Sequence, residues 1–210
     1  MLIVTRRALA LAALGAAALA ATAAPAAAQL GGVNPFSVGV SGGAAIPVGD
    51  FGDFVKTGYS IDGIVAVRFP ASPISLRGEV GYTRFDLKDS AFEDEDSGGL
   101  RGNFRTISGV ANVVLTVPAG PAVMVRPYLI GGVGVYNSRT GVSGGGVTVN
   151  GDAQNRLGFN GGVGLEIPLS GITGLGEVRF VNVRTKEDND AVDAIPFNAN
   201  HVAVRFGIRF

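Results

Sequence analysis

Eight stretches of this chain alternate apolar and polar residues with a period of two, and the connections between them alternate short and long. The stretches cover 36–46, 58–69, 74–85, 104–117, 123–137, 156–169, 175–185 and 199–210. Successive side chains on a β-strand leave opposite faces, so such alternation bounded by turn residues predicts strands. The second, fourth and sixth stretches are followed by PASP, PAGPA and SGITG. The first, third, fifth and seventh are followed by long polar segments, among them DLKDSAFEDEDSGGLRGN and SRTGVSGGGVTVNGDAQN. Brief turns at one end and long loops at the other describe an up-and-down antiparallel meander. An even strand count puts both termini at the short-turn end. Within the fifth connection, 147–149 is expected to extend the hairpin, and the first, at 47–57, reads as a loop.

The two faces of each stretch differ in kind. In the second, Tyr59, Ile61, Val65, Val67 and Phe69 oppose Asp62 and Arg68; in the third, Leu76, Val80 and Tyr82 oppose Arg77 and Glu79. Glu166 opposes Val163, Leu165 and Ile167, and Glu177 and Arg179 oppose Val178 and Phe180. In the last stretch, His201, Arg205 and Arg209 oppose Val202, Val204, Phe206, Ile208 and Phe210. The fifth is less regular, because Ile130 shares the face of Arg126 and Tyr128.

Alternation alone does not say which face is inside. A soluble lipocalin-like barrel turns its apolar face inward around a ligand, whereas a membrane barrel turns it outward to lipid. Aromatics at the strand ends (Phe36, Tyr59, Phe69, Tyr82, Phe210) lie on the apolar face, as interfacial girdles do. The polar face is mostly Gly, Ala and Ser with a few charges of both signs, and lysine is nearly absent from the strands. Most stretches also have the length a tilted strand needs to cross a bilayer. The expected fold is therefore all-β: an eight-stranded antiparallel up-and-down transmembrane β-barrel, with brief periplasmic turns and long extracellular loops.

Residues 1–28 are read as a cleaved signal peptide: a basic start with Arg6 and Arg7, an Ala-rich apolar run, then small residues before Gln29. The barrel domain is assigned to 29–210. Removing the leader leaves 15 basic against 17 acidic residues, a net charge of −2. That balance offers no electrostatic footprint for nucleic acid. Cysteine is absent, which excludes a disulfide framework and any thiolate nucleophile or metal site.

RPYLIGGVGVY at 126–136, GGVGLEI at 161–167, the terminal VRFGIRF and the opening GGAAIPVGDFGDF at 42–54 resemble the small outer-membrane β-barrel family. That family includes the transmembrane domain of outer membrane protein A and its single-domain relatives. The resemblance spans 29–210 and implies an architecture rather than an activity. It implies a monomer in outer-membrane lipid and lipopolysaccharide, handled by the barrel assembly machinery during biogenesis. The terminal Phe210 matches the aromatic that this machinery reads.

With the polar face inward, the lumen receives Asp62, Glu79, Glu166 and Glu177 as acids and Arg77, Arg126, Arg179 and Arg205 as bases. An eight-stranded barrel is only wide enough for its side chains to fill, and buried charges of opposite sign must pair. A plug of ion pairs is favoured over a gated pore on that ground. Arg209 is placed at a hydrated periplasmic rim, and the glycines of the polar face are expected to make room for the long side chains.

Competing chemistry is weakly supported. Four arginines would keep the lumen acids ionised, against the raised pKa that a glycosidase acid needs. His201 is the only histidine, which excludes a two-His metal site; with Ser60 it could belong to a lipid hydrolase, but a rim histidine bonded to a neighbour is the simpler reading. The acidic run at 86–99 reads as a solvated charge cluster rather than a Ca²⁺ or Mg²⁺ site, since its spacing is not that of an EF-hand. The Gly-Gly-Val-Gly repeats lie inside strands with no helix following, unlike a nucleotide loop. No enzyme activity and no cofactor are expected. Three roles follow: a structural envelope protein or one acting at the cell surface, a narrow porin-like channel, or an adhesin working through its loops.

Overall fold

The computed structural model describes residues 35–88, 101–117, 125–144, 147–151, 153–184 and 198–210. The strands are β1 (Phe36–Pro47), β2 (Gly58–Arg68), β3 (Ile74–Asp86), β4 (Arg101–Thr116), β5 (Arg126–Gly144), β6 (Val147–Asn150), β7 (Gln154–Leu169), β8 (Ile172–Val183) and β9 (Ala199–Arg209). A five-residue helix, α1 (Asp50–Phe54), follows β1. Residues 1–28, expected to be a signal peptide, and most of the acidic run lie outside the described residues.

The sheet runs β4-β3-β2-β1-β9-β8-β7-β5, and β5 pairs back onto β4 to close it. All pairings are antiparallel, so the eight long strands form a closed meander barrel, as the alternation predicts. Closure leaves no barrel strand with an unpaired edge, the condition for carrying a sheet through hydrocarbon. β6 pairs only with the end of β5, from Gly141↔Asn150 to Gly144↔Val147, and lengthens that hairpin beyond the barrel wall.

Two short turns are well defined. Leu169 pairs with Ile172 around Ser170–Gly171, and Gly171 has φ 83°, a left-handed conformation that glycine adopts without a Cβ clash. The β7–β8 turn is thus tighter than SGITG implied, because Ile172 and Thr173 continue the ladder. Between β2 and β3, Ala71 takes φ 56° and Ser72 Oγ accepts a hydrogen bond from the Ile74 backbone N–H at 3.1 Å.

Large apolar side chains are outside. Val133, Leu157 and Phe206 are 66 %, 70 % and 70 % exposed, alongside Val40, Ile61, Val80, Ile107 and Val163. In water a continuous apolar surface of this kind would be an association liability. Around a closed barrel it is the band that meets lipid. Among the described residues no helix is long and apolar enough to cross a membrane.

The first long connection departs from the sequence reading. Residues 50–54 form α1, which inserts Phe51 into the open end of the lumen. The Phe51 ring lies 5.1 Å from Phe85 and 5.5 Å from Phe104, edge-on to both. Ala45, Val55, Tyr136, Val181, Val183 and Ala199 complete this apolar cap. Backbone bonds from Lys56 to Asp86 and from Lys88 to Phe54 tie the helix to the end of β3, with a Val55↔Leu87 bridge between them.

Candidate functional site

The lumen is filled in layers below that cap. β3 contributes Arg77 and Glu79, two residues apart and therefore on one face. β8 contributes Glu177 and Arg179 in the opposite order. In the sheet order β3 and β8 are four strands apart either way round, hence diametrically opposed, and the antiparallel meander makes them run in the same direction. An Arg-x-Glu strand facing a Glu-x-Arg strand sets each acid against a base at its own height. Arg77 Nη1 donates to Glu177 Oε2 at 3.0 Å, and Arg179 donates to both oxygens of Glu79 at 2.7 and 2.8 Å.

Contacts along each strand close the ring. Arg77 Nε lies 2.7 Å from Glu79 and Arg179 Nε 2.6 Å from Glu177 as ion-pair contacts, though neither nitrogen is aligned as a hydrogen-bond donor. Arg205 on β9 reaches Asp62 on β2 at 2.9 Å and Glu177 at 2.9 Å. Tyr128 donates its hydroxyl to Glu177 at 2.8 Å. Asn160 bridges from the Arg179 guanidinium at 3.4 Å to Asn112 at 3.0 Å. All six charged residues are buried. Three acids and three arginines make the layer formally neutral, which limits the desolvation cost that isolated charges would carry.

A smaller group lies nearer the short-turn mouth. Glu166 on β7 accepts from Arg209 at 2.8 Å and from Arg68 at 2.9 Å. Arg209 is buried here, not hydrated at a rim, because Glu166 draws it inward. Arg126 departs from the expected set: it is exposed at the mouth, opposite Glu166 in the β5–β7 register, where Glu166 already holds two arginines. Between the layers Val114, Tyr128 and Ile130 form an apolar belt, which accounts for the isoleucine on the polar face. A vestibule of about 580 Å³ opens at the mouth, lined in part by Ser37, Arg68, Thr173 and Arg209.

Glycines open the space for these groups. A Cβ on Gly162 would stand 2.7 Å from Arg179 Cγ, and one on Gly164 would lie 2.7 Å from Tyr128 Cε1. Both distances are closer than packed atoms allow.

Between the ion-paired layer and the cap is a cavity of about 40 Å³, lined by Ser60, Asp62, Glu79, Thr106, His201 and Arg205 among others. His201 is buried, with its ring 5.4 Å from Phe85 and edge-on to it. It is a packed interior residue, not one at a hydrated rim. Ser60 Oγ makes no hydrogen bond, so Ser60 and His201 are not coupled as nucleophile and base. Among the described residues no cluster of three or more His, Asp or Glu could hold a metal ion.

Sequence reading did not assign Arg68, Arg209, Tyr128, Asn112 and Asn160 to the lumen site, and it missed the Phe51 cap. Parity already put Arg68, Tyr128 and Arg209 on the inward face. Their partners came only with the heights of the strands.

An apolar band outside, a charged interior and a closed antiparallel wall define an integral β-barrel of the outer membrane. The chain matches the outer membrane protein beta-barrel domain family over residues 10–210 and belongs to that family. Its place is the cell outer membrane. Its fold is similar to that of Neisserial surface protein A, at 18 % identity and a TM-score of 0.57, covering 85 % of this chain and 97 % of the other. It is also similar to a major outer membrane protein of Thermus thermophilus, at 16 % identity and a TM-score of 0.60, covering 83 % and 98 %. No curated protein sequence matches the chain.

Proposed function

We propose that this is a non-enzymatic structural barrel of the outer membrane, exported by its leader at 1–28, whose lumen is held shut by its own ion pairs. The observation that carries this reading is the double crossing of the lumen by Arg77–Glu177 and Arg179–Glu79. Both bonds join opposite walls, so a permeating ion would have to break them against a buried, formally neutral network. The Phe51 cap above and the Glu166 group below add two further obstructions. The monomer presents an envelope-spanning element whose long connections face outward, suited to envelope integrity or surface contact.

Planar-bilayer recording on the refolded full chain tests this. A folded barrel should be electrically silent, and the variant Glu79→Gln/Glu177→Gln should admit current. Stepwise conductance from the unsubstituted protein would overturn it.

A narrow channel is the second reading, and the vestibule at the short-turn mouth favours it. In that case the unsubstituted protein conducts, and neutralising Arg77 or Arg179 changes its ion selectivity. Assembly through the barrel assembly machinery is proposed to depend on Phe210. That residue stands 61 % exposed beyond the end of β9 with its backbone paired to Val38.

A further inference from the structure

The short-turn end of the barrel carries charge that the neutral central layer does not. The sequence around that end, residues 29–40, 63–76, 112–130, 164–176 and 206–210, contains Arg68, Arg126 and Arg209 as bases and Glu166 as its one acid. Three positive charges against one negative leave +2 on the side chains of the mouth. In outer-membrane barrels the short turns face the periplasm.

The ion pairs at this end are also incomplete. β2 and β7 are four strands apart either way round the sheet, so the Arg68–Glu166 contact crosses the mouth. Arg209 reaches the other oxygen of the same carboxylate. Each arginine donates through Nη2 alone, at 2.9 and 2.8 Å. A guanidinium carries five N–H groups, so both keep most of their donors for another acceptor. The central layer differs: Arg179 sets Nε, Nη1 and Nη2 against two acids. Arg126 stands opposite Glu166 in register, on the same inward face, and among the described residues no acid pairs with it.

These groups border a concave space. Arg68 and Arg209 line the vestibule of about 580 Å³, where Ser37, Ser72 and Thr173 contribute hydroxyls. Arg68, Thr173 and Arg209 belong to inward strand faces, so the space opens along the barrel axis and not onto lipid. The Arg68 side chain is 45 % exposed and can be reached from solution.

We propose that the mouth binds the phosphate monoester group of a small periplasmic solute. The phosphate sits in the vestibule against the Arg68 and Arg209 guanidinium groups, and Arg126 adds its charge from the other flank of Glu166. A phosphate monoester carries about −2 near neutral pH, concentrated on three strong acceptor oxygens. That charge matches the mouth, and its oxygens accept the paired bonds that a guanidinium fork offers. A lipid phosphodiester carries half the charge, and its acyl chains have no place on an axial site. Occupancy needs no passage through the sealed lumen.

The test is titration calorimetry on the full chain refolded in dodecyl maltoside, in phosphate-free buffer of low ionic strength, with sn-glycerol 3-phosphate as the probe. The unsubstituted protein should bind it, more weakly as salt is raised. Arg68→Gln should weaken binding about tenfold or more, the loss of a charge-assisted contact. Arg126→Glu changes an exposed residue and takes the mouth to zero net charge, so it should abolish measurable binding. It carries the proposal if Arg68→Gln fails to fold on a heat-shift gel. Arg184→Gln, which removes an arginine stacked on Phe159 at the other end, should change nothing. Equal binding by the mouth variants and the unsubstituted protein would overturn the proposal. Citrate bound as tightly would overturn the assignment to phosphate, and loss of binding on adding phosphatidylglycerol to the micelles would give the site to a lipid headgroup instead.

Discussion

Glu79 on β3 accepts both hydrogen bonds of the Arg179 fork from β8, at 2.7 and 2.8 Å, across the full width of the barrel. The two residues are 100 positions apart in sequence, as are Arg77 and Glu177 one layer below. Glu79 also meets Arg77, and Arg179 also meets Glu177, so the pair is the cross-barrel part of one charge-balanced buried network.

Removing both members should therefore cost less than the two single removals added together. Arg179→Met alone is expected to destabilise the barrel by about 3–5 kcal/mol, because it strands buried carboxylates. Glu79→Met/Arg179→Met should cost clearly less than the two single changes summed. Urea unfolding of the refolded protein in lipid vesicles, read as a double-mutant cycle, checks the sign of the coupling.

Neighbouring glycines of β7 should respond oppositely to one added methyl group. Gly164→Ala drives a Cβ into the Tyr128 ring and Gly162→Ala into Arg179, whereas Gly161→Ala meets open space on the lipid side. The two inward changes should cost about 1–3 kcal/mol each, the usual penalty of overpacking. The outward one should leave the unfolding midpoint unmoved.

Phe51→Ala should loosen the cap without opening the wall. Hydrogen exchange at 50–56 and at the Val55↔Leu87 bridge is expected to accelerate strongly, while the amides of β2, β3 and β9 stay protected. That pattern is local rather than global opening. Uniform deprotection of the strands would assign Phe51 to the barrel's global stability instead.

Deleting Phe210 should separate assembly from stability. Its backbone exchanges two hydrogen bonds with Val38 at 3.2 and 2.8 Å, at the outermost end of the β1–β9 seam. The protein lacking it should refold in detergent with a nearly unchanged heat-shift midpoint, yet accumulate poorly in the outer membrane of cells. Normal accumulation would remove Phe210 as the assembly signal.

Most of the wall was legible in the residues themselves. Parity assigned Asp62, Arg77, Glu79, Glu177, Arg179 and Arg205 to one face, because a strand's side chains can point only two ways. Parity is silent about height. Arg126 and Glu166 have the same parity relation to their strands as the central residues, yet Arg126 stands at the mouth while Arg209, read as hydrated, folds inward to Glu166. Height depends on the stagger between strands, which is a property of the closed barrel. Helix α1 was hidden for another reason: DFGDF is too short for a helical period to show, and the lumen end selects Phe51 only once Phe85 and Phe104 are in place.

The placement of the Arg-x-Glu and Glu-x-Arg strands has a consequence for how the chain reaches its final state. β3 and β8 share no hairpin, and their charges meet only after every strand between them is laid down. Until then each carries a charged pair on an unfinished sheet, where water is its best partner. Ordering such distant contacts is slow, because the chain entropy is lost before the contacts form. Pairing of these charges across the lumen is thus expected to come late in folding. A strand slipped by two residues would bring Arg77 against Arg179, so the same six side chains act as a proofreading step on the register in which the barrel closes.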